Sequence, residues 1–333
     1  MRHHYWEWPI ATYLFLGGMG GGMFFLAAVL SFIVFPEHAV MMGSALAWPI
    51  FLALVWLAFG CFLLVFELGQ HAAFPLVFLN SIKSVLGHGA RILVVCMVFG
   101  ILWWVSYLPW GWISGLAGFL ATFRSINLFI AGVAGFCIML YTGIFLSTLK
   151  AHSFWATPAL PVLFTVSATS TACACIMLAL GCTWLYPDAA PTALAAIAGL
   201  AEEAHELLHT LDIILICVEI IVLLVMVLSF VCAGNKTAQA AANRWVRGSY
   251  KLLFWGGMIC CGLLLPLAFN LCGLSAPAAV LALCGGLLLR FLVIFTDDRA
   301  EVPGETKYFT RLKKVGEPGS EFMTKWTDIE NIY

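Results

Sequence analysis

The chain has 333 residues, of which 63% are hydrophobic, 14% aromatic and only 10% charged, and its mean hydropathy is +1.01. A soluble domain carries about 25% charged residues, so soluble, collagen-like and disordered classes are excluded. The net charge of -1 argues against nucleic acid as a partner, and the length suits about eight membrane crossings of roughly 20–25 residues.

Apolar runs fall at 9–36, 46–68, 91–108, 124–149, 158–184, 207–232, 252–273 and 277–296, and each is read as a transmembrane helix. The first lacks a basic leader and a small-residue cleavage site, which predicts a retained helix rather than a signal peptide. It carries Gly17-Gly18-Met19-Gly20-Gly21-Gly22. No strand precedes this run, and Met23 stands where a Gly-x-Gly-x-x-Gly phosphate loop needs its last glycine. The pairs Gly17/Gly21 and Gly18/Gly22 instead suit close helix packing. Twelve cysteines lie almost all within the apolar runs without a Cys-x-x-Cys, so they are expected to be small apolar helix residues.

Eight spans put both termini on one face. Fourteen of the sixteen basic residues fall on that face, Arg124 lies on the other, and Arg290 sits within the last span. The positive-inside rule then makes the terminal face cytoplasmic; a dock for an acidic partner subunit is the other account of the same bias. The longest polar stretch is the tail, 297–333.

An ionisable group in a span is costly unless paired or wet, so each is a functional candidate. Tyr13 lies near the start of the first span, Glu67 ends the second and Tyr141 lies near the end of the fourth, so all three gather at one depth beneath the terminal face. Tyrosine hydroxyls and a carboxylate can hydrogen-bond a carbonyl oxygen and exchange its proton, which a quinone head group requires. The competing reading gives the tyrosines to an interfacial belt and Glu67 to a loop.

On the sixth span His205, Asp212 and Glu219 recur every seven residues and share one face, with His209 a turn before Asp212. With Arg290 they form a ladder suited to a proton path, or else a buried Glu–Arg pair joins two helices. No haem is expected, because His205 and His209 lie on one side of one helix and the other histidines sit at span ends or in loops.

Several segments together resemble the polysulfide reductase membrane-subunit family, the NrfD/PsrC type. They are Trp8-Pro9-Ile10-Ala11-x-Tyr13-Leu14-Phe15-Leu16-Gly17-Gly18, Glu67-Leu68-Gly69, Leu140-Tyr141-Thr142-Gly143 and Phe154-Trp155-x-Thr157-Pro158-x-Leu160-Pro161, with Asp212, Glu219 and Leu289-Arg290. Many members have Arg and Pro where Gln70 and His71 stand here. The resemblance implies an all-α integral membrane protein of eight helices in two four-helix bundles, 1–150 and 151–296. It places a quinone by Tyr13, Glu67 and Tyr141, and Asp212, Glu219 and Arg290 in the second bundle. It also implies a four-cluster ferredoxin-like iron–sulfur subunit and, through it, a molybdopterin catalytic subunit.

The expectation is therefore a quinone-reactive anchor of a respiratory oxidoreductase in a bacterial or archaeal cytoplasmic membrane. It would exchange electrons and protons with a menaquinone-type pool and hold no haem or iron–sulfur cluster itself. A haem b cytochrome subunit and a proton-coupled secondary transporter are the alternatives. The segment Lys236–Lys251 and the tail are the candidate dock.

Overall fold

The computed structural model describes residues 8–67, 85–108, 114–149, 154–180, 191–232 and 236–296. The expected spans appear in order. Helix α1 covers Trp8–Val29 and runs into a π-helical turn at Leu30–Val34; α2 covers Ala39–Glu67, α3 Val85–Val105, the short α4 Ser114–Ala121 and α5 Arg124–Ser147. Helices α6 (Ala159–Ala179), α7 (Pro191–Cys232) and the short α8 (Lys236–Val246) follow. A π-helix over Leu253–Leu264, then α9 (Leu265–Leu271) and α10 (Ser275–Thr296) complete the described residues. Among them eight helices are long and apolar enough to cross a membrane. Large apolar side chains such as Phe66, Phe119, Ile221 and Leu224 face outward, as lipid rather than water would permit. The tail and the stretch containing Lys83 lie outside the described residues.

Two elements differ from the simple span pattern. Helix α7 begins at Pro191, well before the apolar run at 207, and its 42 residues rise about 63 Å at about 1.5 Å per residue. Proline suits a first helical turn and the alanine-rich stretch behind it favours helix, so propensity carries the helix beyond the hydrocarbon. The seventh span is a π-helix where a plain helix was expected. Pro266 at its end lacks an N–H, and its ring clashes with the preceding turn of an α-helix; the wider turn accommodates both. The same span crosses α10 with Gly262 directly on Gly285.

Helix α1 touches α2, α5, α6 and α10, and its glycines explain how. A Cβ on Gly20 would lie 2.8 Å from Leu57, one on Gly21 2.7 Å from the Gly135 carbonyl, and one on Gly22 2.7 Å from the Ala172 Cβ. The run therefore faces three helices at once, not the single partner of a paired motif. The cysteines divide: Cys96, Cys173 and Cys175 are buried, whereas Cys217, Cys232, Cys260, Cys261, Cys272 and Cys284 face outward.

Gly22→Ala is expected to lower the thermal midpoint in detergent, since overpacking costs about 1–3 kcal/mol. Gly118→Ala, with nothing within 4 Å of the added methyl, should leave it unchanged. Equal midpoints for both variants would contradict the packing described.

Candidate functional site

Tyr13 and Tyr141 lie close to each other near the terminal face. Both are buried, and their hydroxyls are within electrostatic range of one another. Tyr13 packs against Gly60 on α2 and beside Gly17, while the Tyr141 ring rests directly on Gly89 of α3, where any side chain would collide with it. Tyr141 stacks on Phe145 with centroids 5.7 Å apart. Among the described residues neither hydroxyl is hydrogen-bonded. Glu67 closes α2, two turns beyond Gly60 and Cys61. Its side chain, like Gln70 and His71, lies outside the described residues.

The motif residues form one assembly. Gly143, two residues after Tyr141, lies against Pro161 and admits no side chain. Trp155 donates its indole N–H to the Val293 carbonyl at 2.9 Å, and Trp245 donates to Thr296 Oγ1 at 2.7 Å. Arg244 Nη1 donates to the Thr296 carbonyl at 3.2 Å. These bonds supply partners to the end of α10, whose last carbonyls have none within the helix. Phe154 lies edge-on to Trp245 with centroids 5.1 Å apart.

The polar residues of the sixth span form a hydrogen-bonded set more elaborate than the spacing shows. Asp212 is fully buried and accepts from Ser170 Oγ at 2.6 Å on Oδ1 and from Asn270 Nδ2 at 2.9 Å on Oδ2. His209, half-buried, has Nε2 3.2 Å from the Asn270 backbone carbonyl. His205 is half-buried nearer the helix start, within range of Glu202, Glu206 and His209. Glu219 is buried near Ser167 and Arg290.

Arg290 is wholly buried. Its Nη1 donates to Ser167 Oγ at 2.5 Å and to the Gly286 carbonyl at 3.1 Å, and its Nη2 to the Phe164 carbonyl at 3.2 Å. The guanidinium also lies over the Phe164 ring, 4.9 Å from its centroid. Arg290 thus takes Ser167 as an acceptor, with Glu219 within electrostatic range of the guanidinium. The order from the face opposite the termini is His209 and Asn270, Asp212 and Ser170, Glu219 and Ser167, then Arg290 and Phe164. Ser167, Ser170 and Asn270 carry no sequence signal; only the opposing carboxylates single them out.

Among the described residues no group of three or more His, Cys, Asp or Glu is placed to hold a metal ion. The polar sites are built from hydroxyls, carboxylates, an amide and one guanidinium, a set suited to protons and hydrogen-bonding ligands.

Residues 1–297 match the family model described as Polysulphide reductase, NrfD. The chain is 26% identical over 314 residues to Protein NrfD of Escherichia coli, with 88% of this sequence and 95% of that protein covered. It is also 26% identical over 311 residues to the C chain of the polysulfide reductase of Wolinella succinogenes, covering 88% and 94% of the two sequences. A Protein NrfD homolog of Haemophilus influenzae is 25% identical over 327 residues, covering 88% and 94%.

Removing one member of a buried charged set leaves the other uncompensated, so Arg290→Met is expected to cost about 3–5 kcal/mol. Arg290→Met with Glu219→Leu should cost less than the two single changes summed, in a denaturation cycle in mixed micelles. Strict additivity would show that the two groups do not interact.

Proposed function

The chain belongs to the polysulphide reductase NrfD family, and from that membership we propose that it is the quinone-reactive membrane subunit of a respiratory oxidoreductase. The observation that carries this reading is the Tyr13–Tyr141 pair: two buried tyrosines on different helices, whose hydroxyls have no hydrogen bond among the described residues. A quinone of the menaquinone type supplies two-electron, two-proton chemistry. Tyr13 and Tyr141 would donate to a head-group oxygen, and Glu67 would exchange its proton with the terminal face. The close approach of Gly89 holds the Tyr141 ring flat and fixes where its hydroxyl points.

Electrons need an acceptor within reach of the quinone, and the family resemblance implies one. The reading therefore includes a four-cluster iron–sulfur subunit docked on the terminal face and, through it, a molybdopterin catalytic subunit. The Wolinella succinogenes relative is named by a subunit letter, which denotes one chain among several. Arg247 and Lys251 turn outward on that face, which the basic-residue count makes cytoplasmic.

The two halves, 1–150 and 151–296, divide the work in this proposal. The first holds the quinone. The second carries a proton path along His205, His209, Asp212 and Glu219, ending at Arg290. Its support is the burial of Asp212, Glu219 and Arg290 and the hydrogen bonds of Asp212 to Ser170 and Asn270, of His209 to Asn270 and of Arg290 to Ser167.

Tyr141→Phe combined with Glu67→Gln is expected to lower quinol-linked electron transfer by about 100-fold, the lower end of general acid–base effects. The measurement is quinol oxidation by the intact complex in detergent, with co-purification of the iron–sulfur subunit as the assembly control. A wild-type rate in the assembled double variant would show that the quinone site lies elsewhere.

A further inference from the structure

We propose that the quinone head group reaches the tyrosine pair from the bilayer through the seam between α2 and α3, past Cys61 and Met97, an inference that rests on the quinone reading of that pair. A menaquinone-type molecule is held in lipid by its apolar tail, so its head group enters a buried site sideways, between helices. Among the described residues α2 packs along α1 and α3 along α5, whereas α2 and α3 touch each other only lightly. Towards the face opposite the termini they close together, where a Cβ on Gly100 would lie 3.3 Å from Leu54.

The tyrosines border the seam from behind, one on each side. Tyr13 of α1 lies against α2, where a Cβ on Gly60 would be 3.5 Å from its ring, and the Tyr141 ring of α5 rests on Gly89 of α3. Both are more than nine-tenths buried, and neither hydroxyl has a hydrogen bond among the described residues. Cys61 follows Gly60 directly, and its thiol lies 4.0 Å from the Met97 thioether across the seam. Both residues are only partly buried, and their chain neighbours Phe62 and Val98 face outward. The two sulfurs thus stand between the lipid-facing surface and the buried tyrosines.

The chemistry of this pair suits a passage. A thiol is a weak donor and a thioether a weak acceptor, so parting them costs little. Methionine adapts through three rotatable bonds, and sulfur makes favourable contacts with the edge of an aromatic ring. A flat head group can therefore slide between them, while Phe62 and Val98 offer apolar surface to the tail that stays outside. Cys61 and Met97 act on entry in this arrangement, not on the proton or electron steps.

The test uses the intact complex in detergent. Cys61→Phe fills the seam and is expected to raise the KM for dimethylnaphthoquinol about tenfold with kcat retained, the sign of hindered binding rather than lost chemistry. A second readout needs no substitution and covers the case in which the phenylalanine variant does not assemble. Alkylation of Cys61 by N-ethylmaleimide, followed by mass spectrometry of its peptide, should be about tenfold slower with dimethylnaphthoquinone at about ten times its Kd. Cys217, outward on α7, should react at the same rate with and without it. The quinoid ring of that probe is fully substituted and adds no thiol itself. An unprotected Cys61, or one left unmodified where Cys217 reacts, overturns the seam as the route, as does a wild-type KM in assembled Cys61→Phe. If Tyr141→Phe with Glu67→Gln still slows quinol oxidation in that event, the quinone site stands and only the route falls. A wild-type rate in that double variant as well overturns the site itself.

Discussion

Inside a bilayer no water is at hand for a stray donor, so a buried guanidinium imposes its needs on every helix around it. Arg290 obtains acceptors from α6 through Ser167 and the Phe164 carbonyl, and from its own helix through the Gly286 carbonyl. Glycines border it on two helices. A Cβ on Gly18 would lie 3.9 Å from Nη2 and 3.2 Å from the Ala168 Cβ, and one on Gly286 would collide with Thr171. Three acceptors on two helices meet the guanidinium. That explains why a charge so expensive in hydrocarbon is tolerated at this position.

The same constraint joins the two proposed sites. Tyr13 turns towards α2 and α5, whereas Gly18, five residues on and about 7.5 Å further along α1, turns towards Arg290. One rigid helix therefore borders both the tyrosine pair and the serine–carboxylate ladder. A shift of α1 small enough to alter the Tyr13 hydroxyl would also change the space beside Arg290. Packed interiors transmit such displacement because they hold few voids. Any coupling between the proposed quinone site and the proposed proton path would have a physical route here.

What the sequence discloses follows from contrast. Eight spans are legible because hydropathy is a sum over many residues, and Asp212, Glu219 and Arg290 stand out because charges there are rare. A common depth for Tyr13 and Tyr141 is legible because span direction orders them, whereas their lateral nearness appears only once the helices are packed. Ser167, Ser170 and Asn270 are silent, because serine is common in packed membrane helices and its importance depends on what faces it. Gly89 is equally silent until the Tyr141 ring is seen lying on it. The π-helix before Pro266 eludes an apolar pattern that scores residue type and not hydrogen-bond register.

The terminal face shows how a recurrent motif and a docking surface can be the same construction. Trp155, Arg244 and Trp245 fasten the end of α10, with Tyr250 3.5 Å from the Phe295 carbonyl. The aromatic side of α8 is spent inward on this clamp: Trp245 is fully buried and stacks on Phe254. Outward on α8 and the turn after it, among the described side chains, lie Asn243, Arg247, Ser249 and Lys251, two of them cations. Holding α10 rigid keeps Arg290 in register with Ser167, and the same clamp fixes those cations on the surface. A partner that bound there would rest on the element that positions the buried ladder, so docking and proton handling would share a mechanical foundation.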